Sequence, residues 1–183
     1  GMGFVALFFA GLALWFYKHE VDTFYKAVDW DLLGFFASLF VVIYVMEQAE
    51  VLAIIGEGIG AMLSLPGPAA QASLLVSAAA ASSVTDNIPL AAVLAKILAV
   101  NPLVVGSEGS NPGSPFWWCV IYGANLGGNI TPIGSASTVV AMVIIHKNRL
   151  PLTFLGFVKV ASAFAVVQII LAIGYVWITS HLF

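Results

Sequence analysis

Charge is what this sequence has least of. Asp, Glu, Lys and Arg make up 8% of its 183 residues, against about a quarter in a soluble domain, so a surface wetted on all sides is excluded. The six basic residues form no stripe or cluster, which excludes a nucleic-acid partner. One cysteine, Cys119, stands between Trp118 and Val120 in an apolar run; it has no partner for an internal disulfide or a thiolate metal site and reads as a buried filler. The three histidines, His19, His146 and His181, lack ligand spacing, so no histidine metal centre is expected. No base accompanies the serines, so the chain is not read as an enzyme and no residue as catalytic. The glycine-rich run near Gly127 has neither a preceding soluble strand nor a Walker lysine, which excludes a nucleotide loop and leaves no cofactor motif.

What the chain has in quantity is apolar surface, at 61% hydrophobic residues and a mean hydropathy of +1.04. That composition predicts an all-α polytopic membrane protein whose main partner is the lipid bilayer. The opening Gly1-Met2 reads as a processing scar, and the apolar run Met2 to Tyr17 as a retained span ended by the polar stretch Lys18 to Asp29. Leu32 to Met46 reads as a second span. Glu47 to Leu65, with Glu47, Glu50 and Glu57 among glycines, reads as an interfacial arm feeding the break Pro66-Gly67-Pro68. Residues 1–65 are thus expected as scaffold spans and arm, and 66–183 as a transport-type domain.

Within that second part, residues 69–100 carry two apolar arms around the polar octet Ser82 to Pro89. Each arm is too short to cross about 30 Å of hydrocarbon at 1.5 Å per residue, leaving a re-entrant hairpin or a helix broken in mid-membrane. Asn101 to Ser114 reads as a loop. Residues 115–146 form a broken helix interrupted from Gly127 to Gly134, with Trp117 and Trp118 as interfacial anchors, and 151–179 a final span. A hairpin puts Lys18, Lys26, Lys147 and Arg149 on one side of the membrane and Glu50, Glu57 and Glu108 on the other. The positive-inside rule therefore favours the hairpin, cytoplasmic basic loops and both termini external at the cell membrane. Lys96, inside the hairpin, is expected to snorkel or to pair with Glu108.

Two polar interruptions at membrane depth need an explanation, because unpaired backbone in hydrocarbon costs several kcal/mol per group and survives only where it is buried or lines a cavity. In the first, Ser83, Thr85, Asp86 and Asn87 offer oxygens. Asp86 and Asn87 also suit an ordinary helix cap, but an Asp within apolar surroundings is costly and usually functional. In the second, Asn125 and Asn129 supply amides, Thr131, Ser135, Ser137 and Thr138 hydroxyls, and the resuming helix presents free N–H groups near Gly134. Tight packing through small residues is the alternative there. Opposed half-helix ends near the midplane are a membrane device for holding ions beside a substrate. Ion or substrate binding is therefore expected at Ser83, Thr85, Asp86, Asn87, Asn125, Asn129, Thr131, Ser135 and Ser137.

Ser83 to Leu90 (SVTDNIPL), Gly123 to Met142 (GANLGGNITPIGSASTVVAM) and Asp29 to Gly56 resemble the second half of the ion transporter superfamily. That group includes arsenical pump membrane proteins, sodium/proton antiporters of the NhaD type, P-protein permeases and citrate and dicarboxylate carriers. The resemblance implies secondary transport by two inverted repeats, each with a re-entrant hairpin and a broken helix, assembled as a homo-oligomer. It places the cation motif on Thr85, Asp86 and Asn87 and its counterpart on Asn129, Thr131, Ser135 and Ser137, with a sodium ion as the candidate at Thr85, Asp86, Asn87 and Asn129. Dicarboxylate carriers have Ser-Asn-Thr at the hairpin tip; Thr-Asp-Asn here is closer to the antiporters and arsenical pumps. Family members are about twice this long, so a missing N-terminal half or partner subunit is expected. Sodium/proton antiport or anion export leads; a non-transporting scaffold or regulatory subunit, or half of a citrate or dicarboxylate carrier, are the alternatives.

Overall fold

A computed structural model describes residues 2–105 and 114–182. Among the described residues all regular structure is helical, and the chain is an all-α membrane protein. It divides into two compact units, Gly1–Tyr44 and Val45–Phe183.

The first unit begins with α1 (Met2–Phe16), whose side chains are all exposed. That exposure suits contact with lipid, where no apolar side needs to be hidden from water. A 3-10 turn (Lys18–Glu20) and α2 (Val21–Ala27) follow, bent by 94° from α1. The stretch expected only to end the first span is therefore itself helical. Val21, Phe24, Tyr25 and Val28 recur with helical spacing and line an apolar crevice with Ala10, Ala13 and Leu14, so the charges of Lys18 to Lys26 sit on a short amphipathic helix. The turn to α3 (Trp30–Gln48) is held by the Asp29 carboxylate, which accepts from the Leu32 N–H at 2.9 Å, and by the Trp30 indole, which donates to the Tyr25 carbonyl at 3.1 Å. At 19 residues, α3 is long and apolar enough to cross a membrane.

The second unit takes in the last turn of α3 and then an elbow at Glu50, which takes the left-handed conformation (φ 57°) uncommon outside glycine. α4 (Val51–Leu63) runs to Gly67, where a positive φ of 54° lets the chain reverse before Pro68 opens α5 (Pro68–Ser82). After a four-residue turn, α6 (Asn87–Val100) carries the chain back. Ile97 of α6 packs beside Gly56, and Asn101 beside Gly60. The outgoing arm therefore ends alongside the same helix that feeds the incoming one, so α5 and α6 form a hairpin rather than one broken crossing.

A single helical turn, α7 (Pro102–Val105), opens the stretch expected to be a loop; Glu108 and Pro112 lie outside the described residues. The interrupted helix is α8 (Pro115–Gly127) and α9 (Ala136–Lys147), and the final helix α10 (Phe154–Leu182) is again long and apolar enough to span. Around α10 two surfaces alternate. Ala165, Ala172 and Val176 are buried, while Val160, Phe164, Val167 and Leu171 are exposed. Leu74, Leu75, Ile97, Leu98 and Cys119 complete the core.

The centre of this unit is the contact of α5 with α8. A Cβ on Gly123 would lie 2.6 Å from the Cβ of Ala78 and from the Leu75 carbonyl oxygen, and one on Gly127 would strike the backbone of Ala79. Two helices that touch backbone to backbone need glycine at spacing four on one and small residues on the other, as in membrane helix pairs generally. Pairing Leu75 with Gly123 and Ala79 with Gly127 makes the two helices parallel. Gly123→Leu is expected to force them apart and, by overpacking, to cost about 1–3 kcal/mol or more, whereas Gly58→Ala, whose Cβ would meet nothing within 4 Å, leaves stability near the native value; thermal unfolding of the purified protein in detergent distinguishes the two.

Candidate functional site

Both polar interruptions arise where a helix ends inside the unit, and each helix end leaves backbone groups needing partners. At the hairpin tip, Ser82 closes α5 fully buried, and its hydroxyl reaches across to the Ala124 carbonyl of α8 at 2.5 Å. The Ser83 and Thr85 hydroxyls return to their own turn, donating to the Ala80 and Ala81 carbonyls at 2.7 and 2.8 Å. Asp86 is half-buried in extended conformation, and its carboxylate accepts from the Ile88 N–H at 3.3 Å, capping α6. The Asn87 amide donates to the Asn125 side-chain oxygen at 3.4 Å, while the Asn125 amide donates to the Ile121 carbonyl at 2.8 Å.

The second break closes onto the first. The buried Thr131 hydroxyl donates to the carbonyl of Ser83. Gly134 lies against Gly128 and the Ser82 carbonyl, so close that a Cβ there would be 3.0 Å from the latter and 2.8 Å from the Gly128 carbonyl oxygen. Ser135, nearly buried, caps α9 by accepting from the Thr138 N–H at 3.3 Å, and its hydroxyl lies 3.0 Å from that of Ser137 and 3.1 Å from that of Thr138. Ser137 and Asn129 are exposed.

The two interruptions, 48 residues apart in sequence at the Thr131–Ser83 bond, thus form one polar region. Ser83 meets Thr131, Asn87 meets Asn125, and Ser135 meets Ser137. Thr85, Asp86 and Asn129 make no side-chain bond across the breaks among the described residues. The region brings the carbonyl-rich ends of α5 and α8 together with the N–H-rich starts of α6 and α9. Carbonyls, hydroxyls, amides and one carboxylate can replace the water around a small cation, and the helix starts can face an anion. No group of three or more His, Cys, Asp or Glu is gathered as a metal centre among the described residues.

One contributor escaped the sequence reading. Ser82 was taken as the edge of a polar octet, yet it joins the two elements; its place in line with Ala78, facing the Gly123–Gly127 pair, was the available signal. Thr138 forms part of the hydroxyl group capping α9. Away from the breaks, Lys96 pairs with Glu47 at 3.1 Å, where Glu108 had been the expected partner. Both line a crevice of about 720 Å³ with Glu50, Glu57 and Asn101. Lys96 projects from the same part of α6 that Ile97 packs onto α4, which brings it to the junction of α3 and α4 and so to Glu47.

The sequence model of the family described as Citrate transporter (CitMHS) matches residues 1–119, which takes in the hairpin and stops short of the second break. An uncharacterized transporter of Mycobacterium tuberculosis is 31% identical over 177 residues, covering 95% of this chain and 40% of the relative. An uncharacterized transporter of Synechocystis is 30% identical over 188 residues, covering 94% and 42%, and the human P protein 28% over 162 residues, covering 86% and 19%. The chain spans about two fifths of the length of the first of the curated relatives it matches. No solved structure matches it.

The bond between the breaks is open to test. Thr131→Val keeps the shape but strands the Ser83 carbonyl, at a cost of about 1–3 kcal/mol; the unfolding temperature in detergent is expected to fall, and Thr131→Ser to restore most of it.

Proposed function

The chain belongs to the citrate transporter family, CitMHS, and on that premise we propose that it is part of a secondary active transporter that moves a small inorganic ion across the cell membrane, coupled to sodium or protons, as in sodium/proton antiport or anion export. The observation that carries this reading is the meeting of the hairpin tip with the broken helix through the Thr131–Ser83 and Ser82–Ala124 bonds. Irregular backbone is tolerated at membrane depth where it is buried or lines a path for polar cargo, and here two such stretches support each other. Asp86 is the acidic side chain at that meeting. It supplies the charge that a coupling cation would neutralise or a proton would occupy, and Thr85, Asn87 and Asn129 supply neutral oxygens beside it. The remainder of the site comes from a partner half, in the same polypeptide or another, and the assembled transporter is a homo-oligomer.

The family's description favours a second reading, citrate or a related carboxylate as cargo. Recognition of a multivalent carboxylate favours Arg or Lys at the site. Lys96, the basic residue of the hairpin, lies nine positions beyond Asn87, roughly 13 Å along α6, and is engaged by Glu47. That arrangement supports the inorganic ion over citrate.

Flux into liposomes containing the intact transporter separates the readings. Sodium- or proton-driven exchange that Asp86→Asn lowers at least tenfold supports the proposal. Unchanged exchange in the variant removes Asp86 from it, and uptake of labelled citrate with no inorganic exchange replaces it with the second reading. Absence of any flux in the native protein leaves a scaffold or regulatory role.

A further inference from the structure

Gln168 lies near the middle of α10, a helix otherwise almost wholly apolar between Ala163 and Trp177. Its side-chain oxygen is buried and has no hydrogen-bond partner among the described residues. A buried acceptor left unpaired costs about 1–3 kcal/mol, and buried side-chain polar atoms are in the large majority satisfied. A polar residue that sits unsatisfied inside a membrane helix therefore implies a ligand or a task.

The register of α10 says where that oxygen is. Gln168 falls on the helix stripe of Ala165, Ala172 and Val176, which are 0%, 7% and 1% exposed, so it faces the interior of the unit. The Tyr175 ring meets Tyr122 of α8 edge-on, with centroids 5.9 Å apart, and Ser180 accepts from the Gln71 amide of α5 at 3.2 Å. Rising numbers on α10 thus meet falling numbers on its neighbours, and the helix is antiparallel to both. Seven residues back from Tyr175, roughly 10 Å along the axis, is Gln168; seven forward from Tyr122 is Asn129. Twelve back from Ser180 is again Gln168, and twelve forward from Gln71 is Ser83. Two independent contacts place Gln168 at the depth of both breaks. The Gln71 oxygen is also unpaired, but it lies at the far end of α5 and its amide is already held by Ser180.

We propose that Gln168 is a third component of the ion site, its side-chain oxygen turned to a monovalent cation held between the hairpin tip and the broken helix. This rests on the transport reading above and extends it to an element that carries no part of either break. A neutral amide oxygen replaces a water of hydration without adding charge, which suits a cation whose charge Asp86 already balances.

The test is thermal unfolding of the purified intact protein in detergent, titrated with sodium, lithium or potassium chloride against choline chloride. The native protein is expected to gain stability with one of the small cations. Gln168→Leu removes the unpaired oxygen, so in choline it is expected to be as stable as the native protein or more so, while needing at least tenfold more of that cation for the same gain. A merely structural glutamine would give no such split. A leucine variant with the native cation dependence overturns the inference and leaves the transport reading standing. If the leucine variant does not fold, Gln168→Glu decides: a carboxylate at an ion-facing position is expected to lower the cation concentration required at least fivefold, and an unchanged requirement overturns the inference. A native protein that responds to none of the three cations overturns this inference and the sodium-coupled form of the reading beneath it, while proton-driven flux in liposomes decides the other form.

Discussion

Everything in the second unit depends on one constraint: backbone that leaves a helix inside a membrane must find partners within the protein. The solution is a mutual one. The carbonyl of Ser83, freed where α5 ends, is taken by Thr131 from the other break, and the carbonyl of Ala124 in α8 receives the Ser82 hydroxyl from the first. Each interruption supplies part of its own bonding, through Asp86 and Ser135 for instance, and takes one further partner from the other. The exchange requires the two helices to lie almost in backbone contact, and Gly123 and Gly127 make that distance possible. Glycine here serves two ends at once, since the same closeness that packs the helices delivers each break to the other.

The first unit obeys a different rule. α1 buries none of its residues, which would be untenable in water and is unremarkable in lipid, where an apolar side chain gains nothing by turning inward. Polar groups are confined to the bend and to α2, and the tie at the α3 entrance is a capping carboxylate plus an indole hydrogen bond. Packing in the second unit, by contrast, is dense around small side chains, and its single described ion pair, Glu47 with Lys96, lies half-exposed at the hairpin's far end. An exposed pair of this kind contributes little to stability; its interest is that it ties the hairpin's outgoing arm to the last turn of α3.

Much of this was legible in sequence because the signals were local. Pro89 and the hydroxyl-rich octet marked the turn, Gly127 to Gly134 marked the second interruption, and Ser135, read as the point where the helix resumes, is its cap. The two motifs could be placed to within about three residues because a break in a long apolar run leaves few alternatives. What stayed hidden depended on pairs distant in sequence or on context. Lys96 and Glu47 are 49 residues apart, and nothing near either predicts the other. The bend after Phe16 was masked by charge, since Lys18 to Lys26 looks like a loop until Val21, Phe24, Tyr25 and Val28 are seen to share a face. Gln168 was submerged in a hydropathy average that one amide barely lowers, and only the antiparallel register of α10 gives its depth meaning.

The parallel course of α5 and α8 also dictates when the site can come into being. Parallel neighbours cannot be joined by a tight turn; the chain must return through α6 and beyond before α8 begins, so the Ser82–Ala124 contact closes a loop of 42 residues. Contacts of this separation are late events, because the entropy of closing the loop is lost before anything is gained. At a synthesis rate of about 5–20 residues per second, the hairpin tip waits about 2–8 s for its counterpart to be made. Through that interval Ser82 and its neighbours have no α8 to meet, and their polar groups must find other partners until the second break arrives.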